Sequence, residues 1–302
     1  MANTDKPLTE EQVRAGYALY EKNASRTMKQ TEKALERLYF CIVYCLTLSI
    51  GLILSFIFQS AVICAVSFIA GIALGIAAGK LRIHKIKSNV SEMAKIERSE
   101  GYTERFFEEV NKPAAPFLQL EITAAQVYVF CGNPDMALEK LKNVDAGVYV
   151  QRPNGAHLYY AALLSACLLK GDLDHAADTY TKGAYYLNTY KNSPIYGTTV
   201  SLALGMYEFY CGRYGASLQL LDNAMRIHYA YLKPENRIPD ENMTSMLCYW
   251  KAINLASMGD KAAAWEMINS CKGLYTTDYY RQCAEKLLAD MAEDEKRKNA
   301  NT

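Results

Sequence analysis

Apolar positions fall along this chain in three patterns. From Leu38 to Gly79 they are almost continuous: no Asp, Glu, Lys, Arg, His, Pro or Asn occurs, and Gln59-Ser60 is the strongly polar interruption. A helix needs about 20 apolar residues, rising 1.5 Å each, to cross a bilayer, so a run of roughly forty fits two crossings and is too long for one. The pattern predicts spans at Leu38 to Phe58 and Ala61 to Ala78, reversing at Gln59-Ser60. With no Gly or Pro there, the helices are expected to give up end residues to make the turn.

The second pattern is amphipathic and lies on either side of the run. Leu8-Thr9-Glu10-Glu11-Gln12-Val13 reads as a helix start, with Thr9 as N-cap, Gln12 reaching back and Leu8 stapled on Val13. After the run, Ile83, Ile86, Val90 and Met93 mark one helix face, shorter than a convincing coiled coil. That face is expected to pack on the N-terminal helix or the first repeat. The prolines of Lys112-Pro113-Ala114-Ala115-Pro116 break the helix, because each lacks an amide donor and restricts its predecessor.

The third pattern recurs. Four times an apolar helix runs into a glycine, and a small residue follows five positions later: Gly132 with Ala137, Gly171 with Ala176, Gly212 with Ser217, Gly259 with Ala264. Glycine takes the left-handed conformation that ends a helix, and a small side chain lets the next helix lie close against the first. An apolar residue follows four positions on, as Leu141, Tyr180, Leu221 and Ile268. Asn133-Pro134, Ser193-Pro194, Asp172 and Asp260 read as helix starts. Beyond Gly273, Thr277 is placed to cap a last helix carrying Cys283, Leu287, Leu288 and Met291.

These repeats resemble the tetratricopeptide repeat (TPR) family from about Leu118 to Gly273. The glycines lie near forty residues apart instead of the family's roughly thirty-four, with extra length at Asp145 to Gly155, Asn188 to Gly197 and Tyr231 to Asn242. The large aromatic early in the first helix is clear only as Tyr160, and the proline that closes a repeat is missing. The resemblance implies stacked helix pairs, which need neighbours to bury both faces. The expected fold is therefore all-α. It comprises an N-terminal amphipathic helix (1–37), a two-span transmembrane helical hairpin (38–79), a juxtamembrane helix and linker (80–115), a TPR-like α-α solenoid (116–275) and a C-terminal capping helix with a polar tail (276–302).

The resemblance also implies a peptide groove lined by the first helix of each pair. By register its candidates are Gln126, Phe130, Ser165, Leu169, Met206, Phe209, Tyr249 and Ile253. Family members that grip a C-terminal carboxylate use Lys, Asn and Arg there, and Ile122, Gln126, Ala161 and Ser165 supply none of these. An apolar groove suits an amphipathic helix or hydrophobic peptide, unless a flanking helix of the chain itself closes it.

Charge settles sidedness. Lys22, Arg26, Lys29, Lys33 and Arg37 precede the first span, and Lys80, Arg82, Lys85 and Lys87 follow the second, so both termini are expected to be cytoplasmic. The compact domain plan points to a bacterial plasma membrane. Such a basic flank also favours acidic lipid headgroups. Overall the chain is balanced, 33 Lys plus Arg against 32 Asp plus Glu, which leaves no footprint for nucleic acid. Gly71, Gly75 and Gly79 put three side-chain-free positions on one face of the second span, for packing on the first span or for a homodimer.

Catalytic chemistry is not legible. The four histidines are far apart, no phosphate loop, serine elbow or dinucleotide fingerprint occurs, and acids such as Asp172, Asp174 and Asp178 are explained by capping. The nine cysteines contain no Cys-x-x-Cys pair and read as reduced core residues. No enzyme activity, metal or cofactor is expected. The function expected is a membrane-anchored scaffold that binds a partner protein or peptide through its cytoplasmic repeats. The alternative is an accessory subunit of a membrane enzyme or transport complex that makes its contact through the hairpin.

Overall fold

The computed structural model describes residues 8–111, 120–142, 144, 155–230, 232–274 and 276–300. These residues are helical throughout, with no strand among them. In chain order the helices are α1 (Glu10–Phe58), α2 (Ala61–Glu100), α3 (Glu104–Asn111), α4 (Leu120–Phe130), α5 (Pro134–Lys142), α6 (Ala156–Lys170), α7 (Leu173–Tyr190), α8 (Gly197–Tyr210), α9 (Tyr214–Tyr229), α10 (Arg237–Ser257), α11 (Lys261–Ser270) and α12 (Asp278–Ala300). A short 3-10 helix, Pro234–Asn236, precedes α10. The break expected at Pro113 and Pro116, and most of the extra length from Asp145, lie outside the described residues.

The chain divides into two compact units, one of residues 18–94 and one made of the chain up to Tyr17 together with everything from Lys95 onward. The first unit holds most of two long helices in which the amphipathic flanks run on into the apolar stretch: α1 is 49 residues long and α2 is 40. Only Gln59 and Ser60 separate them, so the helices give up no end residues, contrary to the sequence expectation. Gln59 adopts φ 47°, the left-handed conformation usually left to glycine. The Ser55 hydroxyl donates to the Ser60 carbonyl at 2.9 Å and secures the link.

The glycine face of α2 is turned to α1. A methyl group added at Gly71 would lie 3.2 Å from the Tyr44 ring and 3.4 Å from Thr47 Cβ; at Gly75 it would lie 2.8 Å from the Phe40 ring, and at Gly79 2.9 Å from the Glu36 carbonyl. All three glycines are buried. Further along, Lys87 pairs with Glu32 at 2.8 Å and the Arg82 guanidinium lies over the Tyr39 ring. Much of the remaining apolar surface, including Ile53, Phe56, Val62 and Ile69, is exposed. The most apolar stretches of α1 and α2 are only 6% and 11% buried, and both helices are long and apolar enough to cross a membrane.

The second unit is made of turn-linked helix pairs: α4 with α5, α6 with α7, α8 with α9 and α10 with α11, each packed against the next. The four linking glycines have φ of +69°, +77°, +73° and +90° at Gly132, Gly171, Gly212 and Gly259. Every one makes the same pair of bonds. At Gly171, for example, its amide donates to the Leu168 carbonyl at 3.0 Å and the Asp172 amide to the Cys167 carbonyl at 3.0 Å. This arrangement satisfies carbonyls that a helix end leaves unpaired. The small residues that follow, Ala137, Ala176, Ser217 and Ala264, are each 0% exposed. At the third pair the small residue also bonds across the pair, the Ser217 hydroxyl donating to the Gly205 carbonyl at 2.7 Å.

Helix starts follow the sequence in three pairs. The side chains of Asn133, Asp172 and Asp260 accept from the amides of Met136, His175 and Ala263 at 3.2, 3.2 and 3.0 Å. Ser193 departs from its expected role as an N-cap: its hydroxyl accepts from the Ile195 and Tyr196 amides in a separate turn, and α8 begins only at Gly197. The N-terminal capping box forms, with the Thr9 amide donating to Gln12 Oε1 at 2.8 Å and the Gln12 amide to Thr9 Oγ1 at 3.3 Å. Leu8 and the fully buried Val13 then pack with Ile227 and Ala230 of the α9 end, and Arg226 donates to the Leu8 carbonyl. The start of α1 is thereby part of the helix-pair unit.

Candidate functional site: a covered inner face and two cavities

Each first helix of a pair supplies two of the groove candidates on one stripe, four residues apart in three of the helices: Gln126 and Phe130 from α4, Ser165 and Leu169 from α6, Met206 and Phe209 from α8, Tyr249 and Ile253 from α10. For α8 the spacing is three. None of the eight is exposed; Ser165 and Met206 are buried and the others half-buried. Phe130, Leu169, Phe209, Tyr249 and Ile253 all pack against the main core, whose buried members include Trp250 and Tyr280.

Part of the cover comes from the chain itself. Tyr280, in the first turn of α12, is 3% exposed; its hydroxyl accepts from Trp250 Nε1 at 3.3 Å, and its ring meets that of Tyr249 edge-on. Burial holds the Tyr280 phenol protonated far above the ordinary tyrosine range. The ring of Tyr279 lies against Gly132, where an added methyl group would fall inside it. Thr277 stands where the sequence expects the cap of α12, its carbonyl accepting from the Arg281 amide at 3.1 Å. Its side-chain hydroxyl donates at 3.1 Å to the carbonyl of Phe130, an acceptor that the end of α4 leaves open. Later residues of α12, Leu287, Leu288 and Met291, cluster with Ala252, Ala264 and Ile268.

Two cavities flank the last pair. One, of about 770 Å³, lies among Met225, Tyr229, Leu232, Met267 and Leu274, with Lys233, Arg237, Asp240 and Glu241 at its edge. The other, of about 550 Å³, lies among Ser245, Ile268, Tyr280, Ala284 and Leu288. Cys248 and Cys271 line both. Their sulfurs are bonded, with Cα atoms 6.8 Å apart, so the reading of every cysteine as a reduced core residue is corrected for this pair. The remaining seven, among them the exposed Cys211, are free. Two neighbouring helices bring the pair together from 23 residues apart, a proximity that no local spacing motif announces.

The titratable groups are structural in their contacts. His228 is buried, and its Nε2 donates to the Asp240 carbonyl at 3.1 Å; loss of solvation pushes its pKa down to about 4. His157 is fully buried, stacked on the ring of Tyr190 and beside the tilted ring of Tyr196, with centroids 3.9 and 4.4 Å away. Asp172 accepts from both the amide and the ring of His175, and Asp178 pairs with Lys182 at 2.6 Å. No cluster of potential metal ligands occurs among the described residues. Sequence reasoning missed the Tyr279-Tyr280 cover, although adjacent aromatics directly after Thr277 were a usable signal for burial.

Comparison with models of known protein families finds no match, and neither the curated proteins nor the solved structures include one that matches this chain.

Proposed function

We propose that this protein is a membrane-anchored scaffold: α1 and α2 form a two-span hairpin, and the helix pairs form a TPR-like solenoid on the cytoplasmic side that recruits a partner protein. One observation carries the reading. Two adjacent helices present continuous apolar surface that is almost entirely unburied, which water would not tolerate and a bilayer requires. The basic residues Lys29, Lys33 and Arg37 before the first span, and Lys80, Lys85 and Lys87 after the second, support cytoplasmic ends. The four repeated glycine turns and nearest-neighbour packing support the repeat architecture. No step of this function needs a catalytic residue.

Recruitment at the inner face would require the first turn of α12 to withdraw, since Tyr280 is buried there. Exposed apolar side chains on the helix pairs, such as Tyr229, Leu232 and Trp265, offer contact without that rearrangement. The test is crosslinking of the full-length protein in its own membrane, followed by identification of what is attached. A partner lost on Trp265→Ala or Tyr229→Ala, and retained when both spans are replaced by an unrelated apolar pair, supports the scaffold. A partner that follows the spans instead establishes the accessory-subunit alternative.

A further inference from the structure

The Cys248–Cys271 bridge occupies an unusual position for a purely structural link. Cys248 is buried within α10, and Cys271, half-exposed, sits in the turn after α11. The other end of α11 is already fixed, by the Gly259 turn and the Asp260 cap. The bridge therefore adds a covalent tie where the last turn of α11 already packs on α10 through Ile268 and Ala252, and its sulfurs form a wall shared by the cavities of about 770 and 550 Å³. Both cavities give a small molecule access to the bond. The exposed free thiol of Cys211, on the same unit, fits a reducing compartment, where lasting disulfides are rare and those that form are transient.

We propose that Cys248–Cys271 is a reversible thiol–disulfide site for a low-molecular-weight thiol, and that its reduction frees the end of α11 and joins the two cavities into one apolar cleft. The proposal rests on the reading that the helix pairs face the cytoplasm. In the first step a small thiolate attacks the Cys271 sulfur, the more exposed of the two. A mixed disulfide forms, the protein S–S bond breaks, and Cys248 leaves as a thiolate that takes a proton from water. A second small thiolate attacks the small-molecule sulfur of the mixed disulfide and releases Cys271 as a thiol after protonation. Two small thiols are oxidised to one small disulfide, and the protein bond accepts the two electrons. An excess of the small disulfide reverses both steps.

The experiment uses full-length protein in membranes equilibrated with glutathione at ratios from fully reduced to fully oxidised. Acid quenching and sequential labelling with two maleimides then give the oxidation state of each cysteine by mass spectrometry. Cys248 and Cys271 should convert together across the series, and amide exchange over residues 261–274 should rise at least tenfold on reduction. Cys248→Ser should show the fast exchange at every ratio. A pair that stays as thiols even in oxidised glutathione, or bridged even in excess reduced glutathione, overturns the proposal, as does exchange indifferent to reduction. Sidedness is read separately from Cys211 in intact cells: protection from an impermeant maleimide supports the cytoplasmic reading, whereas labelling rejects that reading without altering the glutathione result.

Discussion

The side-chain hydroxyl of Thr277 donates a hydrogen bond to the main-chain carbonyl of Phe130, 147 residues earlier in the chain. Through it the start of the last helix is tied to the end of the first helix pair's leading helix. Tyr280, three residues on, is tied to Trp250 of the last pair. A single turn of α12 thus bridges the end of α4 and the middle of α10.

If that turn holds the unit together, Tyr280 is among its most sensitive positions. Tyr280→Ala should destabilise the helix pairs by about 3 to 5 kcal/mol, the usual range for emptying a large aromatic site. Tyr280→Phe removes only the hydrogen bond from Trp250 and should cost about 1 kcal/mol. Urea unfolding of the detergent-solubilised protein, followed by tryptophan fluorescence, measures both.

Two of the repeated glycines should respond differently to the same substitution. At Gly171 nothing lies within 4 Å of an added methyl group, so Gly171→Ala should cost about 1 to 2 kcal/mol for the left-handed backbone alone. At Gly132 the methyl group would also displace the Tyr279 ring. Gly132→Ala should therefore be clearly the more damaging in the same unfolding assay, and equal effects would show that Tyr279 does not rest there.

Much of this was legible because it is local. The glycine-to-small-residue spacing fixes a helix end and a close approach within six residues, and the four turns form where the spacing places them. The Thr9-Gln12 capping box and Leu8-Val13 staple are equally local, and both form. What escaped depends on contacts between distant segments. Thr277 finds Phe130, and Cys248 finds Cys271, because stacking brings them together, and no spacing in the chain records that. Ser193 illustrates a third case, in which a cap signal was real but closed its own turn one step before the helix.

The packing of α2 on α1 can be captured covalently. Thr47 Cβ lies 3.4 Å from where a Gly71 side chain would begin, close to disulfide geometry. In a background with Cys41, Cys45 and Cys64 replaced by Ser, Thr47→Cys with Gly71→Cys should oxidise to a crosslinked monomer. A product of twice the mass would instead place the glycine face between two copies.

Acid should weaken the helix-pair unit through His228. Its pKa in the folded protein lies below the ordinary value of 6.5, at about 4, so the unfolded chain binds the extra proton first. The stabilisation is complete above pH 6.5 and is lost as the pH falls towards 4, amounting to roughly 3 kcal/mol over that window. His228→Gln should flatten this part of the stability–pH curve, as measured by urea unfolding at half-unit steps.

Extraction of the full-length protein from its membrane asks whether the unburied apolar surface of α1 and α2 faces lipid. After alkaline carbonate washing the chain should remain with the membrane and leave only with detergent. Recovery of a monodisperse full-length protein in buffer without detergent would contradict that placement.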